Sequence, residues 1–436
     1  MFPGLAKQFS VMVPLFILAL LTACGTSRPL EPTIAAKPAE LALSREDRIA
    51  IFEDVWKTIN EEYYDPSFHG VNWQEVHNRY RPRIEAAKTD IELYSLFEVM
   101  LAELRDAHTL FSHPRAQADS TFQPTGSVGI TLGEAENRTL IVTVEPNSDA
   151  ARAGVKPGMV LRTVNGKPVE ELYAEIRSQF AGSSTERSMK TVMQGALLYG
   201  GFLGASRTFG IEGFDAKVFD VPIVHFGKRA PEAPSLTARR LPSGDGYIGF
   251  DGWKPPVDDQ FKTELAKLSD TPGLIIDLRG NGGGQDDILL NIASIFFPNE
   301  VSFGSFKKRG GVVENIFTHK TQQTYNGPIV ILVDDISASA SEVFTVSMQE
   351  NARARFIGRQ TCGCVLGQSS KNEKGGGTLK WSARSYNSPR GRILEGTGVV
   401  PDETISLTIS DLRHGSDVAL EAAENALRVR RQGRNY

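Results

Sequence analysis

The spacing of apolar residues predicts a helical region near the start of the chain. Apolar side chains recur every three or four positions in several stretches, which is the period that collects them on one face of a helix. These stretches are 49–59, 73–80 and 91–104. Ser44, with Asp47 three positions later, is a typical helix start. Because amphipathic helices bury their apolar faces against one another, we expect residues 44–120 to form a small helical N-terminal region.

The pattern changes after residue 240 to an alternation of strands and helices. Short runs rich in Val, Ile and Leu predict buried strands, and stretches of helical period lie between them. The predicted strands are Gly246–Phe250, Leu274–Leu278, Ile329–Val333 and Arg355–Gly358. The predicted helices are 260–268, 342–349 and 411–427. This alternation indicates an α/β core.

Short strands separated by turns occupy the stretch between these two regions. The predicted strands are 127–132, 140–144 and 160–166, with a Gly-Val-Lys-Pro-Gly turn before the last. This order resembles a PDZ domain, which we place at 121–178. The resemblance implies that a peptide C-terminus adds as a strand to a sheet edge, with its carboxylate held by backbone N–H groups. The residues that would do so are Ser127, Val128, Gly129 and Ile130. A module that binds no peptide is the alternative.

Composition and the first residues bear on where the chain acts. The 436 residues have room for two or three domains, and the net charge of −4 indicates no basic surface for nucleic acid.

The first residues resemble a lipoprotein signal. They contain Lys7 and an apolar stretch, 11–21, that is too short to span a bilayer. The stretch is followed by Leu-Thr-Ala-Cys24, which resembles a bacterial lipobox. That resemblance implies a signal peptide at 1–24 and a lipidated Cys24, and Gly25 favours retention at the outer membrane. An ordinary cleaved signal peptide is the alternative.

Residues that follow Cys24 predict a tether, and the other two cysteines predict no metal site. The stretch 25–43 is rich in Pro, Ala, Ser and Thr, as expected of a linker. Cys362 and Cys364 are separated by one glycine, so a disulfide between them is one expectation for an oxidising compartment. Two thiols with no histidine nearby make a poor metal site. We therefore predict neither a metal nor a cofactor.

Three serines follow the strand at 329–333, in Ser337-Ala-Ser339-Ala-Ser341-Glu342. A strand, a tight turn and a helix start would place a serine hydroxyl at the positive end of a helix, where backbone N–H groups stabilise an oxyanion. The same residues form a capping box, in which Ser339 only satisfies helix N–H groups. The local pattern leaves both interpretations open.

The glycine-rich segment at 279–287 carries a second signal. It lacks the Gly-Lys-Ser/Thr ending of a phosphate loop, and its two aspartates would repel phosphate. Its glycines are better explained as allowing backbone N–H groups to approach a reacting carbonyl.

Taken in order, these features resemble the carboxyl-terminal processing serine protease family. The matching segments are the PDZ-like stretch, Asp277–Gly284, Ser337–Glu342, Thr361-x-Gly363 with Gln368, and Gly398–Asp402. The resemblance implies an α/β fold with a crotonase-like catalytic core at 179–436 and an inserted PDZ domain. It also implies that Ser339 is the nucleophile and that the backbones of Gly283 and Ala340 form the oxyanion hole.

One departure concerns the general base. Cys364 stands where these proteases have a catalytic lysine, while Lys371 and Lys374 lie downstream. A serine without a base attacks poorly.

The related tricorn-like branch instead uses a histidine from the N-terminal region, a late glutamate and a second serine. His108 and Glu395 match the first two, whereas Ala107 stands in place of the serine. We therefore predict that Ser339 is the nucleophile, His108 the general base and Glu395 its orienting carboxylate.

The expected function is a lipid-anchored, periplasm-facing serine endopeptidase that acts on the C-terminal regions of exported proteins or peptides. Membrane contact is expected only through the lipid. The alternatives are a catalytically inactive PDZ scaffold that binds peptides and, further afield, another crotonase-fold activity on acyl thioesters.

Overall fold

The computed structural model describes residues 43–88, 90–112, 129–179, 182–199, 206–224, 236–321 and 324–433. Cys24, residues 25–42 of the tether, Ser127 and Val128 lie outside these residues. Within the described ranges, no helix combines the length and hydropathy needed to cross a bilayer.

Helices and strands alternate along most of the described chain. The helices are α1 (Arg45–Glu62), α2 (Trp73–Ala86), α3 (Asp90–Ala102), α4 (Asp149–Arg152), α5 (Val169–Gln179), α6 (Glu186–Tyr199), α7 (Val257–Lys267), α8 (Asp286–Ala293), α9 (Ala340–Glu350), α10 (Ile409–His414) and α11 (Val418–Arg431). The strands are β1 (Leu110–Ser112), β2 (Ile130–Ala135), β3 (Arg138–Val144), β4 (Val160–Val164), β5 (Lys167–Pro168), β6 (Ser206–Glu212), β7 (Val218–Val224), β8 (Leu236–Arg240), β9 (Gly246–Phe250), β10 (Leu274–Asp277), β11 (Ser302–Lys308), β12 (Val313–Phe317), β13 (Ile329–Val333), β14 (Arg355–Gly358), β15 (Gly367–Asn372), β16 (Thr378–Asn387) and β17 (Glu403–Thr404).

The N-terminal helices form where the apolar period predicts them. The side chain of Ser44 accepts a hydrogen bond from the N–H of Asp47, which caps α1. Buried residues of α1, α2 and α3 share one apolar cluster with Leu379 and Trp381 of β16. The helical layer is thus packed onto a strand far along the chain.

A six-stranded sheet forms the centre of the α/β core. Its order is β17-β14-β13-β10-β9-β8, parallel except for β8, which pairs antiparallel with β9. Every residue of β10 and β13 is buried, as expected of a parallel sheet covered on both faces. Residues of α8 and α9 pack on one face and residues of α11 on the other. The carboxyl ends of parallel strands form the edge where sites are usually built.

A second sheet joins the core to the helical layer. Its order is β1-β16-β11-β12, with β15 also paired to β16. β1 directly follows the segment that carries His108, and it is antiparallel to β16. This pairing fixes the His108 segment against the core.

The third sheet contains the strands predicted between residues 127 and 166. Its order is β2-β3-β4-β6-β7, with β2 at one edge. β6 and β7 follow residue 178, so this sheet continues past the predicted domain boundary.

The predicted single helix over 411–427 is wrong. Gly415, with φ of +69°, ends α10 in the left-handed conformation that favours glycine. A new helix then starts at Asp417, whose side chain accepts from the N–H of Leu420. The apolar period alone did not reveal this break.

Candidate active site

Ser339 lies in the sharp turn between β13 and α9. Its backbone has φ of 55° and ψ of −119°, an unfavourable conformation for a residue with a side chain. Upstream, the Asp334 carboxylate accepts hydrogen bonds from the N–H groups of Gly280 (3.0 Å) and Ser337 (3.0 Å), which ties this turn to the glycine-rich segment. Strain at a position so firmly held is typical of a functional site.

The three serines of the motif differ in what their hydroxyl groups do. The Ser337 hydroxyl is fully buried, donates to the carbonyl of Leu278 at 2.7 Å and accepts from the N–H of Asp334 at 3.0 Å. The Ser341 hydroxyl is equally buried between the carbonyl of Asn281 and the indole of Trp253. Ser339 is only partly buried. Two serines therefore hold the scaffold together, and the third is presented at the surface of the turn.

The oxyanion-hole prediction falls on two backbones that meet at Ser339. Ala340 is the first residue of α9, where N–H groups have no intrahelical acceptor. A Cβ atom added to Gly283 would lie 2.6 Å from the Cβ of Ser339 and 3.0 Å from the N of Ala340. The N–H of Gly283 donates to Asn281 Oδ1 at 3.0 Å in this structure. The backbone of Gly283 therefore lies against Ser339 while its N–H is engaged by Asn281, and its role in an oxyanion hole stays a prediction.

Glu342 connects the serine turn to the segment with the two cysteines. Its buried carboxylate accepts from the backbone N–H groups of Ser339 (3.3 Å), Gly363 (2.8 Å) and Cys364 (2.8 Å), and from the hydroxyl of Thr361. Burial raises the pKa of Glu342, and these donors lower it. The Glu342 carboxylate therefore supplies its half of a capping box at the start of α9 by accepting the N–H of Ser339, while the Ser339 side chain makes no capping hydrogen bond. A capping role for Glu342 does not exclude a nucleophilic Ser339.

Cys362 and Cys364 form a disulfide and are both buried. The carbonyl of Cys364 accepts the N–H of Ser339 at 2.8 Å, and the N–H of Cys362 donates to the carbonyl of Ser337 at 2.9 Å. The residue in the place of the family's lysine therefore shapes the serine turn through its backbone. Its sulfur, bonded to a second sulfur, is not a thiolate base.

The two downstream lysines are engaged with the helical layer. Lys371 Nζ lies 2.6 Å from a carboxylate oxygen of Asp54, and Lys374 Nζ lies 2.5 Å from one of Asp47. Both carboxylates belong to α1. Neither lysine is directed at Ser339.

The backbone of His108 is held firmly. Its N–H donates to Asp106 Oδ1 at 2.7 Å, and its carbonyl accepts from the side chain of Gln368 at 2.6 Å. Burial lowers the pKa of His108, while the Asp106 carboxylate opposes that shift. The lowered pKa favours the neutral imidazole, which is the form that accepts a proton.

One nitrogen of the His108 imidazole lacks a partner among the described residues. This buried Nδ1 makes no hydrogen bond there, and across the described ranges no hydrogen bond joins the ring to Ser339 or Glu395. A buried polar nitrogen without a partner is costly, so the site favours a group that would pair with it.

Glu395 is anchored to the segment that carries the disulfide. Its Oε2 accepts from the N–H of Val365 at 2.7 Å. The hydroxyl of Ser184, which opposes the rise in the pKa of Glu395, accepts the N–H of Ala107 at 3.0 Å. Burial raises the pKa of Glu395 to about 8, and the charges of Asp106 and Glu342 raise it further. Burial is thus the main cause of the raised pKa of Glu395, and the negative charges of Asp106 and Glu342 add to it.

The structure therefore brings Ser339, Ala340 and Gly283 into direct proximity and holds Glu395 at the backbone of Val365, one residue after Cys364. It does not pair the imidazole with either partner, and the roles assigned to these residues stay predictions. Sequence reasoning missed Ser184, which precedes α6 and has no motif of its own. Of the peptide-binding prediction, Gly129 and Ile130 lie at the start of the edge strand β2.

Two segments of the chain match models of known protein families. Residues 245–405 match Peptidase family S41, and residues 44–102 match the Tricorn protease C1 domain. The first match contains Gly283, Ser339 and Glu395, and the second covers the helices that precede His108.

Relatives extend the similarity over most of the chain. A carboxyl-terminal-processing protease of Synechocystis sp. is 23% identical over 89% of this chain and 88% of its own length. A chloroplastic C-terminal processing peptidase of Tetradesmus obliquus is 26% identical over 84% of this chain and 79% of its own. The solved structure of a photosystem II D1 C-terminal processing protease shares the α/β fold, with a TM-score of 0.56 at 21% identity over 85% of this chain and 98% of that one. Over residues 245–405 the chain therefore matches Peptidase family S41, and over most of its length it is similar to C-terminal processing proteases.

Proposed function

We propose that this protein is a serine endopeptidase that cleaves C-terminal regions of exported proteins or peptides. Ser339 is its nucleophile, His108 its general base and Glu395 the carboxylate that orients the base. The observation that carries the proposal is the contrast among the three serines. The hydroxyl groups of Ser337 and Ser341 make buried hydrogen bonds, whereas Ser339 lies at the N-terminus of α9, beside the backbones of Ala340 and Gly283.

The chemistry follows from this arrangement. The hydroxyl of Ser339 attacks a peptide carbonyl as its proton passes to the imidazole of His108, and the oxyanion is stabilised by the N–H groups of Ala340 and Gly283. The protonated imidazole then gives its proton to the leaving amine. A water molecule, deprotonated by the same imidazole, hydrolyses the acyl-enzyme and restores Ser339. The unpaired Nδ1 of His108 implies that the imidazole moves toward its partners when substrate binds.

Substrate selection is assigned to the third sheet. We propose that the predicted module at 121–178 is a PDZ domain inserted before a crotonase-like core. β2 lies at an edge of its sheet, the position where a peptide strand adds. His108 precedes this module and Ser339 follows it, so a shift of the module on peptide binding would bring base and nucleophile together.

The expected location is the periplasmic face of the outer membrane. Lipidation of Cys24, followed by the tether at 25–43, would hold the enzyme there. This part of the proposal depends on the sequence of the first 43 residues. Mass spectrometry of protein isolated from membranes of the producing cell would detect a lipid on Cys24, and a protein cleaved before or after that residue without lipid would contradict it.

The activity is tested with a pair of unstructured peptides that differ only in a free or amidated C-terminus. We expect cleavage of the free-carboxylate peptide, slower cleavage of the amide, and none by Ser339→Ala. A non-cleavable peptide with a free C-terminus should accelerate cleavage of the amide if the PDZ domain activates the site. Tight binding of the peptides without cleavage by the wild-type protein would contradict the peptidase and support the scaffold.

A further inference from the structure

Cys362, Gly363 and Cys364 form a small covalent ring, which the disulfide between the two cysteines closes. This disulfide ring lies in the stretch 361–366, which is neither helix nor strand. Its backbone is therefore held by contacts other than those of regular secondary structure. Gly363, at the centre of the ring, has φ of +77°, a conformation that favours glycine.

The backbone N–H groups of the disulfide ring all donate to the motif that carries the nucleophile. The N–H of Cys362 donates to the carbonyl of Ser337 at 2.9 Å. The N–H groups of Gly363 and Cys364 each donate to the carboxylate of Glu342 at 2.8 Å. The ring therefore contacts the motif on both sides of the nucleophile.

The carbonyl groups of the disulfide ring accept from the nucleophile and from two other segments. The carbonyl of Cys364 accepts the N–H of Ser339 itself at 2.8 Å. The other two accept from the N–H of Gly396 (2.9 Å), next to Glu395, and from the hydroxyl of Thr185 (2.6 Å), just before α6. Every backbone polar group of the ring is thus hydrogen-bonded to a segment of the candidate active site.

The disulfide ring is closely enclosed by its neighbours. A Cβ atom added to Gly363 would lie 2.8 Å from Cγ2 of Thr185 and 3.0 Å from the backbone N atoms of Thr397 and Gly398. Both cysteines are buried. Because close-packed interiors transmit a local change in shape, a change in the ring displaces the segments that contact it.

We propose that the disulfide ring positions the turn of Ser339, so that efficient catalysis requires the oxidised form of Cys362 and Cys364. The inference rests on the proposed function for its effect on turnover, but not for its effect on the backbone of Ser339. Reduction breaks the S–S bond, as the disulfide takes two electrons and two protons from a dithiol that itself becomes a disulfide. The opened backbone gains freedom, and the hydrogen bond from Ser339 to Cys364 weakens.

This dependence would link activity to the compartment in which the enzyme works. Disulfides persist in oxidising compartments and are rare in the cytosol. A chain that has not yet been exported would therefore carry the two thiols and a loosened serine turn. Oxidation after export would complete the site.

Two forms of the protein separate the covalent bond from the rest of the chain. Reduced wild type differs from oxidised wild type at this site only by the open bond, so it is the closest match. The double variant Cys362→Ser/Cys364→Ser cannot form the bond and needs no reductant. Treating this variant with dithiothreitol reports any effect of the reductant elsewhere, Cys24 included.

Peptide hydrolysis is measured before and after incubation with dithiothreitol, and alkylation with peptide mapping gives the fraction of Cys362 and Cys364 that is reduced. We expect kcat to fall by about tenfold or more on full reduction, with KM nearly unchanged, because the ring contacts the serine turn. Oxidised glutathione should restore kcat. The double variant should resemble the reduced protein and should not respond to dithiothreitol.

Hydrogen exchange at the Ser339 amide, followed by mass spectrometry with fragmentation, gives a readout that does not depend on turnover. Exchange should be about tenfold faster in the reduced protein, because the acceptor at Cys364 is no longer fixed. A kcat within twofold of the oxidised protein after full reduction would overturn the proposal. Faster exchange on reduction of a wild-type protein that cleaves no peptide would instead support the positioning role and refute the proposed peptidase.

Discussion

Alanine substitution of the three serines should separate stability from chemistry. Each of Ser337→Ala and Ser341→Ala removes a buried hydroxyl that both donates and accepts. In each variant the carbonyl that loses a donor keeps another, since Leu278 also accepts from the N–H of Asn281, and Asn281 from that of Ala338. The main cost is therefore one orphaned N–H group per variant.

The magnitude follows from that single group. For Ser337→Ala the orphan is the backbone N–H of Asp334, and for Ser341→Ala it is the indole N–H of Trp253. A buried donor without an acceptor costs about 1–3 kcal/mol, so the free energy of unfolding should fall by about that amount in each case. For Ser339→Ala the N–H of Glu342 still donates to the carbonyl of residue 339. Its loss of stability should therefore not exceed that of a helix cap, about 1 kcal/mol.

Urea unfolding followed by far-UV circular dichroism would give the stabilities, and peptide hydrolysis the activities. We expect Ser339→Ala to be nearly as stable as the wild type and inactive, and the other two variants to be less stable and to retain activity. An active Ser339→Ala variant that is destabilised as much as the other two would show that this hydroxyl is only a cap, and the assignment of the nucleophile would be refuted.

Three further predictions concern the surroundings of the nucleophile. Gly283→Ala should abolish hydrolysis, because φ at this position is +98° and the new methyl group would lie 2.6 Å from the Cβ of Ser339. A turnover within tenfold of wild type would contradict the close approach of the two backbones. Glu395, whose pKa is raised to about 8 in the folded state, stabilises the fold while protonated and loses that contribution as pH rises from about 4.5 to 8. The free energy of unfolding of Glu395→Gln should therefore rise relative to that of the wild type as pH increases, by at most roughly 1.4 kcal/mol per pH unit over that interval. Chemical denaturation at pH 5, 7 and 9 measures this difference. A difference in stability that does not change with pH would contradict the raised pKa. Lys371→Ala should keep hydrolysis within about twofold of wild type because this lysine pairs with Asp54 on α1, whereas loss of turnover at full stability would identify it as the base.

The sequence predicted those parts of the fold that depend on local periodicity. The buried strand β13 begins and ends where its apolar run does, because a strand covered on both faces needs apolar residues at every position. β9 and β14 also have the predicted bounds, although β9 alternates between buried and half-buried residues. β11 and β12 were not predicted, because several of their residues are exposed and both strands mix polar with apolar residues. The break at Gly415 was missed although Gly415 and Asp417 are typical of a helix end and of a helix start.

The site divides in the same way. The roles predicted for Ser339, Ala340 and Gly283 came from the order of motifs that resembles the C-terminal processing proteases, because the local pattern around Ser339 also fits a helix cap. The role of Glu342 was only half predicted, since its capping position is local but its contacts with Gly363 and Cys364 join segments about twenty residues apart. The contact of the Ser184 hydroxyl with the N–H of Ala107 could not be found, because it joins segments that are 77 residues apart.

Reaction with a fluorophosphonate tests the central claim most directly, since such probes form a covalent bond only with an activated serine. Peptide mapping of the labelled wild-type protein should find one adduct, on Ser339, and none in Ser339→Ala. Labelling of His108→Ala should be at least about a hundredfold slower if the imidazole is the base. The absence of an adduct, an adduct on another serine, or a His108→Ala variant that reacts at the wild-type rate would contradict the account.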